Sequence, residues 1–122
     1  MMSYEEWLNC ILNAAQDISS RAFQEEAWKA EGNVASSPDE VYQVLMEDCT
    51  PDLFFETYGK TVTDGQVQCW NELRSRLERY YDKMPRYSDP AQVLNDPEWE
   101  RVRQAAARFV QAFNQRSGER AE

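Results

Sequence analysis

The chain contains no histidine. That absence removes Ser-His-Asp and Cys-His nucleophile systems, the imidazole general base and the Glu-x-x-His ligand pairs of helical di-iron sites. Glycine is scarce, with four in 122 residues and none in a G-x-G-x-x-G or Walker arrangement, so no local signal for nucleotide binding exists. No apolar run approaches the roughly 18 residues that a membrane-spanning helix needs, and the opening MMSYEEWLNC carries acids where a signal peptide carries bases. The expected location is therefore cytoplasmic. Cys10, Cys49 and Cys69 are odd in number, far apart and without a C-x-x-C, which predicts three free packing thiols and a melting temperature indifferent to reductant.

Positive charge is the next shortage. Thirteen Lys and Arg face 22 Asp and Glu, for a net charge of −9, and the excess is uneven. Residues 1–38 carry −4 and residues 39–64 carry −6, whereas residues 65–85 carry +1 and residues 86–122 are neutral. Such a surface repels phosphate backbones and anionic lipid, so the sequence predicts neither nucleic-acid nor membrane binding. A basic protein is the expected partner.

The carboxylates do not assemble into a metal signature. From Glu5 through Glu100 no two acids stand three residues apart, the spacing by which helical pyrophosphohydrolases hold magnesium. Four-residue pairs occur at Asp48/Asp52, Asp52/Glu56, Glu78/Asp82 and Asp96/Glu100, and they read as solvated faces or caps. No metal site, no cofactor and no catalytic residue is expected. Lys60, the only base between Asp39 and Asp64, is expected to offset local acid repulsion.

Helix punctuation is abundant. Ser37-Pro38, Thr50-Pro51, Asp89-Pro90 and Asp96-Pro97 each place a capping residue before a proline, whose missing N–H suits the first helical position. Ser3/Glu6, Ser37/Glu40 and Thr63/Gln66 have capping-box spacing. These signals predict helices near 4–16, 18–31, 38–48, 51–58, 64–84, 90–94 and 97–116, the first two being either one bent helix or two. Gly32, Gly59 and Gly118 stand where left-handed caps are expected. No segment alternates with the period of a strand. The expected fold is a single all-α domain over residues 1–122, a compact bundle of five to seven helices. Apolar stripes at Val67, Trp70, Leu73, Leu77, Tyr80, Tyr81 and Met84, and at Trp99, Val102, Ala106, Phe109, Val110 and Phe113, predict that the two long C-terminal helices form its scaffold.

The segment CTPDLFFETYGKTVTDGQVQCW sets aromatics among the densest acids. At about 100° per residue, Phe54 and Tyr58 point together, Leu53 and Phe55 flank them, and Asp52 and Glu56 share the opposite side. A short helix burying three aromatics and showing two carboxylates accounts for this text. Alternatively Phe55, at the edge of the apolar arc, is an exposed anchor for a partner. The candidate partner-binding residues are Glu47, Asp48, Asp52, Phe55, Glu56 and Tyr58.

In length, acidity and helix content the chain resembles the small acidic all-α immunity proteins with which bacteria neutralise their own nuclease toxins. Tyr80-Tyr81 sits in a different context from the tyrosine pair of the colicin-type members, so no residue role is carried over. The resemblance implies a non-catalytic inhibitor that covers a basic face with carboxylates and aromatic anchors. The alternatives are a nucleic-acid mimic and a structural or adaptor subunit of a larger assembly.

Overall fold

The computed structural model describes residues 3–28, 37–84 and 89–121, with side chains through Asn114. In chain order the helices are α1 (Tyr4–Ser19), α2 (Arg21–Ala27), α3 (Pro38–Gln43), a π-helical turn (Val44–Asp48), α4 (Pro51–Thr57), α5 (Asp64–Lys83), α6 (Pro90–Leu94) and α7 (Pro97–Ala121). No strand is present among the described residues, so the fold is an all-α bundle.

Local capping sets most of these starts. Ser3 Oγ accepts the Glu6 N–H at 3.1 Å while the Glu6 carboxylate accepts the Ser3 N–H at 3.0 Å, and Thr63 and Gln66 repeat the exchange at 3.1 and 2.9 Å. Each box satisfies two N–H groups that the first helical turn would otherwise leave without partners. Ser37, Asp89 and Asp96 cap α3, α6 and α7 by accepting the N–H groups of Glu40, Ala91 and Glu98. Residues 4–28 form two helices. Ser20 leaves helical geometry (φ −100°, ψ 103°) and accepts the Phe23 N–H, restarting the chain as α2.

Three local expectations are corrected. Thr50 makes no side-chain cap; it adopts left-handed geometry (φ 43°, ψ 62°) between the π-helical turn and α4, an uncommon conformation for a β-branched residue. Gly59 lies outside the left-handed region, and its role is space, because a Cβ there would stand 2.9 Å from the Phe55 carbonyl oxygen. Gly118 does not end a helix, since α7 continues to Ala121. Gly32 and the expected last turn of the second helix fall outside the described residues.

The scaffold has three members. α7 packs most extensively on α5 and then on α1. Contacts of Gln66 with Ala112, Glu72 with Arg108 and Tyr80 with Trp99 show α5 and α7 running antiparallel. The α5 stripe buries Trp70, Leu73 and Leu77, the α7 stripe buries Trp99, Val102, Ala105, Ala106, Phe109 and Phe113, and α1 adds Ile11, Ala14, Ala15 and Ile18. Removing such side chains from water is the dominant favourable term in folding.

The cysteine expectation is overturned at two of three positions. Cys10 of α1 and Cys49, which follows the π-helical turn, form a disulfide with Cα atoms 5.7 Å apart. Trp7, one turn before Cys10, donates its indole N–H to the Cys49 carbonyl at 2.6 Å, so the same two elements are joined twice. A separation of 39 residues carries no local pairing signal; docking of α1 on the π-helical turn creates the proximity. Cys69 is free and half-buried, and burial, reinforced by Glu72, pushes its thiol pKa up.

One polar network lies inside the core. Gln24 is fully buried, donates to the carbonyls of Asp17 (2.9 Å) and Ile18 (2.7 Å), and accepts from Trp99 Nε1 (3.0 Å) and Arg103 Nη1 (3.1 Å). Arg103, itself buried, also pairs with Glu100 at 2.7 Å and donates to the Leu94 carbonyl at 3.2 Å. The Arg103 hydrogen bond holds the Glu100 carboxyl below its ordinary range. This network ties α2, α6 and α7 together.

The tyrosines of α5 offer a pH test. Tyr80 donates to Asp96 Oδ2 at 2.9 Å and Tyr81 donates to the Pro38 carbonyl. Burial first, then Asp96 for Tyr80 and Asp39 for Tyr81, raises both phenols well above the ordinary value of about 10. A raised folded value favours the neutral form, so the stabilisation is complete below pH of about 10 and declines as pH rises beyond it. A phenolate absorbance titration should therefore show a late phase, in which Tyr80 and Tyr81 ionise only as helix is lost. A single titration complete before the circular dichroism changes would contradict this.

Candidate functional site

The expected partner surface spans the π-helical turn and α4, joined through the left-handed Thr50. Glu47, Asp48, Asp52 and Glu56 are all exposed. Two of them do more than face water. Asp52 Oδ1 accepts Trp70 Nε1 at 2.9 Å and Arg74 Nη1 at 3.1 Å, so this carboxylate also anchors α4 to α5. Glu47 belongs to a larger acidic group, because Glu47, Glu78 and Asp82 all act on the Tyr42 hydroxyl and, after burial, raise its pKa. The two α5 acids were hidden in a segment whose average charge is slightly positive.

The aromatic side of α4 is inward. Phe54 is fully buried and Tyr58 is half-buried, their rings set against Tyr4 and Trp7 at centroid distances of 4.9–6.0 Å. Phe55 is half-buried, with its ring parallel to Trp70 at 6.0 Å and tilted toward Phe109 and Phe113. The outer arc consists of Asp52, Leu53, Glu56 and Thr57. Leu53 was expected to flank the aromatics on the buried side. Instead it is 52% exposed, the one large hydrophobic so placed among the described residues. The wheel contained the signal, since Leu53 lies only about 60° from Glu56.

Other sequence candidates stay apart from this surface. Lys60 is exposed beyond α4. No three His, Cys, Asp or Glu side chains among the described residues are grouped to hold a metal ion. Helix α5 separates its charges by face. Glu78 and Asp82 turn toward Tyr42, whereas Arg76, Arg79 and Lys83 line a groove shared with α7. Comparison with family models, curated proteins and solved structures finds no match to this chain.

Proposed function

We propose that this chain is a non-catalytic protein-binding module, an acidic inhibitor of the immunity type that masks a basic partner such as a nuclease toxin. The observation that carries this reading is the outer arc of α4, where exposed Leu53 stands between Asp52 and Glu56, close in sequence to Glu47 and Asp48. Rim carboxylates of this sort mainly accelerate encounter, and an apolar side chain in their midst slows release. Phe55 and Tyr58 support the arc from beneath in this reading, and Leu53 takes the anchoring role.

The test separates the two groups kinetically. A basic protein captured at low salt from the source cell is measured against variants of the chain. Neutralising Glu47, Asp48 and Glu56 together should slow association, most strongly at low salt. Leu53→Ala should leave the melting temperature unchanged and speed dissociation about 30-fold, the equivalent of about 2 kcal/mol. Phe55→Ala should destabilise the fold by about 2 kcal/mol through loss of the Trp70 and Phe109 contacts. Asp52 is omitted from the charge variant because its loss would strand Trp70 and Arg74. Association indifferent to these charges, with Leu53→Ala binding like the parent, would sink the inhibitor model and favour an adaptor subunit.

The cytoplasm remains the proposed location, and no helix among the described residues is long and apolar enough to cross a membrane. The Cys10–Cys49 bond is of a kind that oxidising compartments preserve. Alkylating free thiols before lysis distinguishes the two settings. Modification of Cys10 and Cys49 in the cell supports the cytoplasm, and protection of both argues against it.

A further inference from the structure

Near the C-terminal end of α5, Arg76, Arg79, Tyr80 and Lys83 recur at three- and four-residue intervals and so share a face. Glu98, Arg101 and Val102 do the same near the start of α7. Because the helices are antiparallel, the two faces meet around a cavity of about 250 Å³. Four bases and one acid leave its lining at +3, on a chain whose net charge is −9. The half of the molecule that looks neutral by segment average thus contains a concentrated positive site.

The side chains there are incompletely neutralised. Arg101 takes the Glu98 carboxylate, the only acid in the lining. Arg76 Nε is buried without a hydrogen-bond partner, the Glu72 carboxylate standing 3.7 Å away. Arg79 Nε reaches only the Ser75 carbonyl, at 3.4 Å, and neither Arg79 nor Lys83 forms an ion pair among the described residues. Like charges at this helical spacing repel by a few tenths of a kcal/mol per pair, and a bound anion would relieve that repulsion. Arg76 stays within ion-pair distance of Glu72 and Arg101 pairs with Glu98, so the cations of the groove left without an acid among the described residues are Arg79 and Lys83.

A second cavity of about 230 Å³ shares Tyr80, Lys83 and Glu98 with the first and continues past Met84, Gln92 and Val93. Asp96 completes its lining, with its carboxylate accepting the Tyr80 hydroxyl, and Met84, Gln92 and Val93 form its uncharged part. We infer that the α5/α7 groove binds a small phosphorylated molecule, with a multiply charged phosphate head among Arg76, Arg79, Lys83 and Arg101 and a less polar body toward Met84 and Val93. Arginine suits this role because its planar guanidinium donates two parallel hydrogen bonds to phosphate oxygens. The site is independent of the acidic surface of α4 and does not rest on the inhibitor reading.

The probe is sodium pyrophosphate, titrated into the full chain at constant ionic strength and followed by amide proton–nitrogen NMR spectra. Saturable shifts confined to residues 76–84 and 98–102 are expected. The variant Arg79→Gln/Lys83→Gln changes two exposed positions, so it should keep the parent melting temperature and lose at least about tenfold in affinity, the effect of about 1.4 kcal/mol. Sodium acetate should bind at least tenfold more weakly than pyrophosphate, as expected of a site recognising multiple charge. Non-saturating shifts spread over the surface, or a variant that binds as the parent does, would overturn the site. Equal binding of acetate would overturn its assignment to phosphate.

Discussion

Reducing the Cys10–Cys49 bond is expected to destabilise the fold by about 4 kcal/mol, the chain-entropy cost of releasing a loop of this length in the unfolded state. For a chain of this size that corresponds to a fall of about 15 °C in melting temperature. The bond joins α1, a member of the scaffold, to the segment that leads into α4. Its loss should therefore loosen the Trp7–Cys49 contact and the aromatic cluster of Tyr4, Trp7, Phe54 and Tyr58 before it disturbs the α5/α7 pair. Thermal melts with and without reductant, compared with Cys10→Ala, measure the effect. The reduced protein and the variant should agree, and Cys69→Ser should respond to reductant as the parent does, because Cys69 takes no part in the bond. A shift below about 2 °C on reduction would mean that the cross-link contributes little and that helix packing alone holds α1 in place.

Gln24→Leu is expected to cost about 4 kcal/mol despite preserving side-chain volume. Its amide is used to capacity, with two donated and two accepted hydrogen bonds, all at a fully buried position. Leucine would leave two carbonyls, the Trp99 indole N–H and one Arg103 N–H without that partner, and each unsatisfied buried group costs about 1 kcal/mol or more. The sign is opposite to the usual result of adding an apolar side chain to a core. Gln24→Glu retains the acceptor and loses both donors, so it should fall between the parent and Gln24→Leu. Denaturant unfolding followed by tryptophan fluorescence gives the ranking directly. If Gln24→Leu came within about 1 kcal/mol of the parent, the Trp99 and Arg103 hydrogen bonds would have to be satisfied in another way.

The two predictions concern features that the linear text did not reveal, for different reasons. Cys10 and Cys49 lacked a motif, and their odd third partner made free thiols the economical reading. Gln24 and Arg103 occupy interior positions of their helices where an apolar residue would have been expected. Arg103 lies four residues after Trp99 and three before Ala106, inside the α7 stripe, so its register was visible. Its partner was not, because nothing local connects it to a glutamine 79 positions earlier. At the α4 surface the carboxylates were legible as exposed, whereas the division of labour was not. Asp52 is committed to Trp70 and Arg74, Phe55 belongs to an aromatic stack, and Leu53 faces outward.

By itself the sequence determined the all-α class, most helix starts, the buried stripes of α5 and α7, and the acidity of the first half of the chain. Capping and helical periodicity operate over three or four residues, so the chain needs no distant contact to express them. Tertiary structure alone decided the Cys10–Cys49 pairing, the Gln24 network, the break of the third helix into a π-helical turn and the gathering of Arg76, Arg79, Lys83 and Arg101 into one groove. Each of these depends on which helix faces meet and at what register, and side-chain packing across the core selects that arrangement from many that the same helices would permit locally.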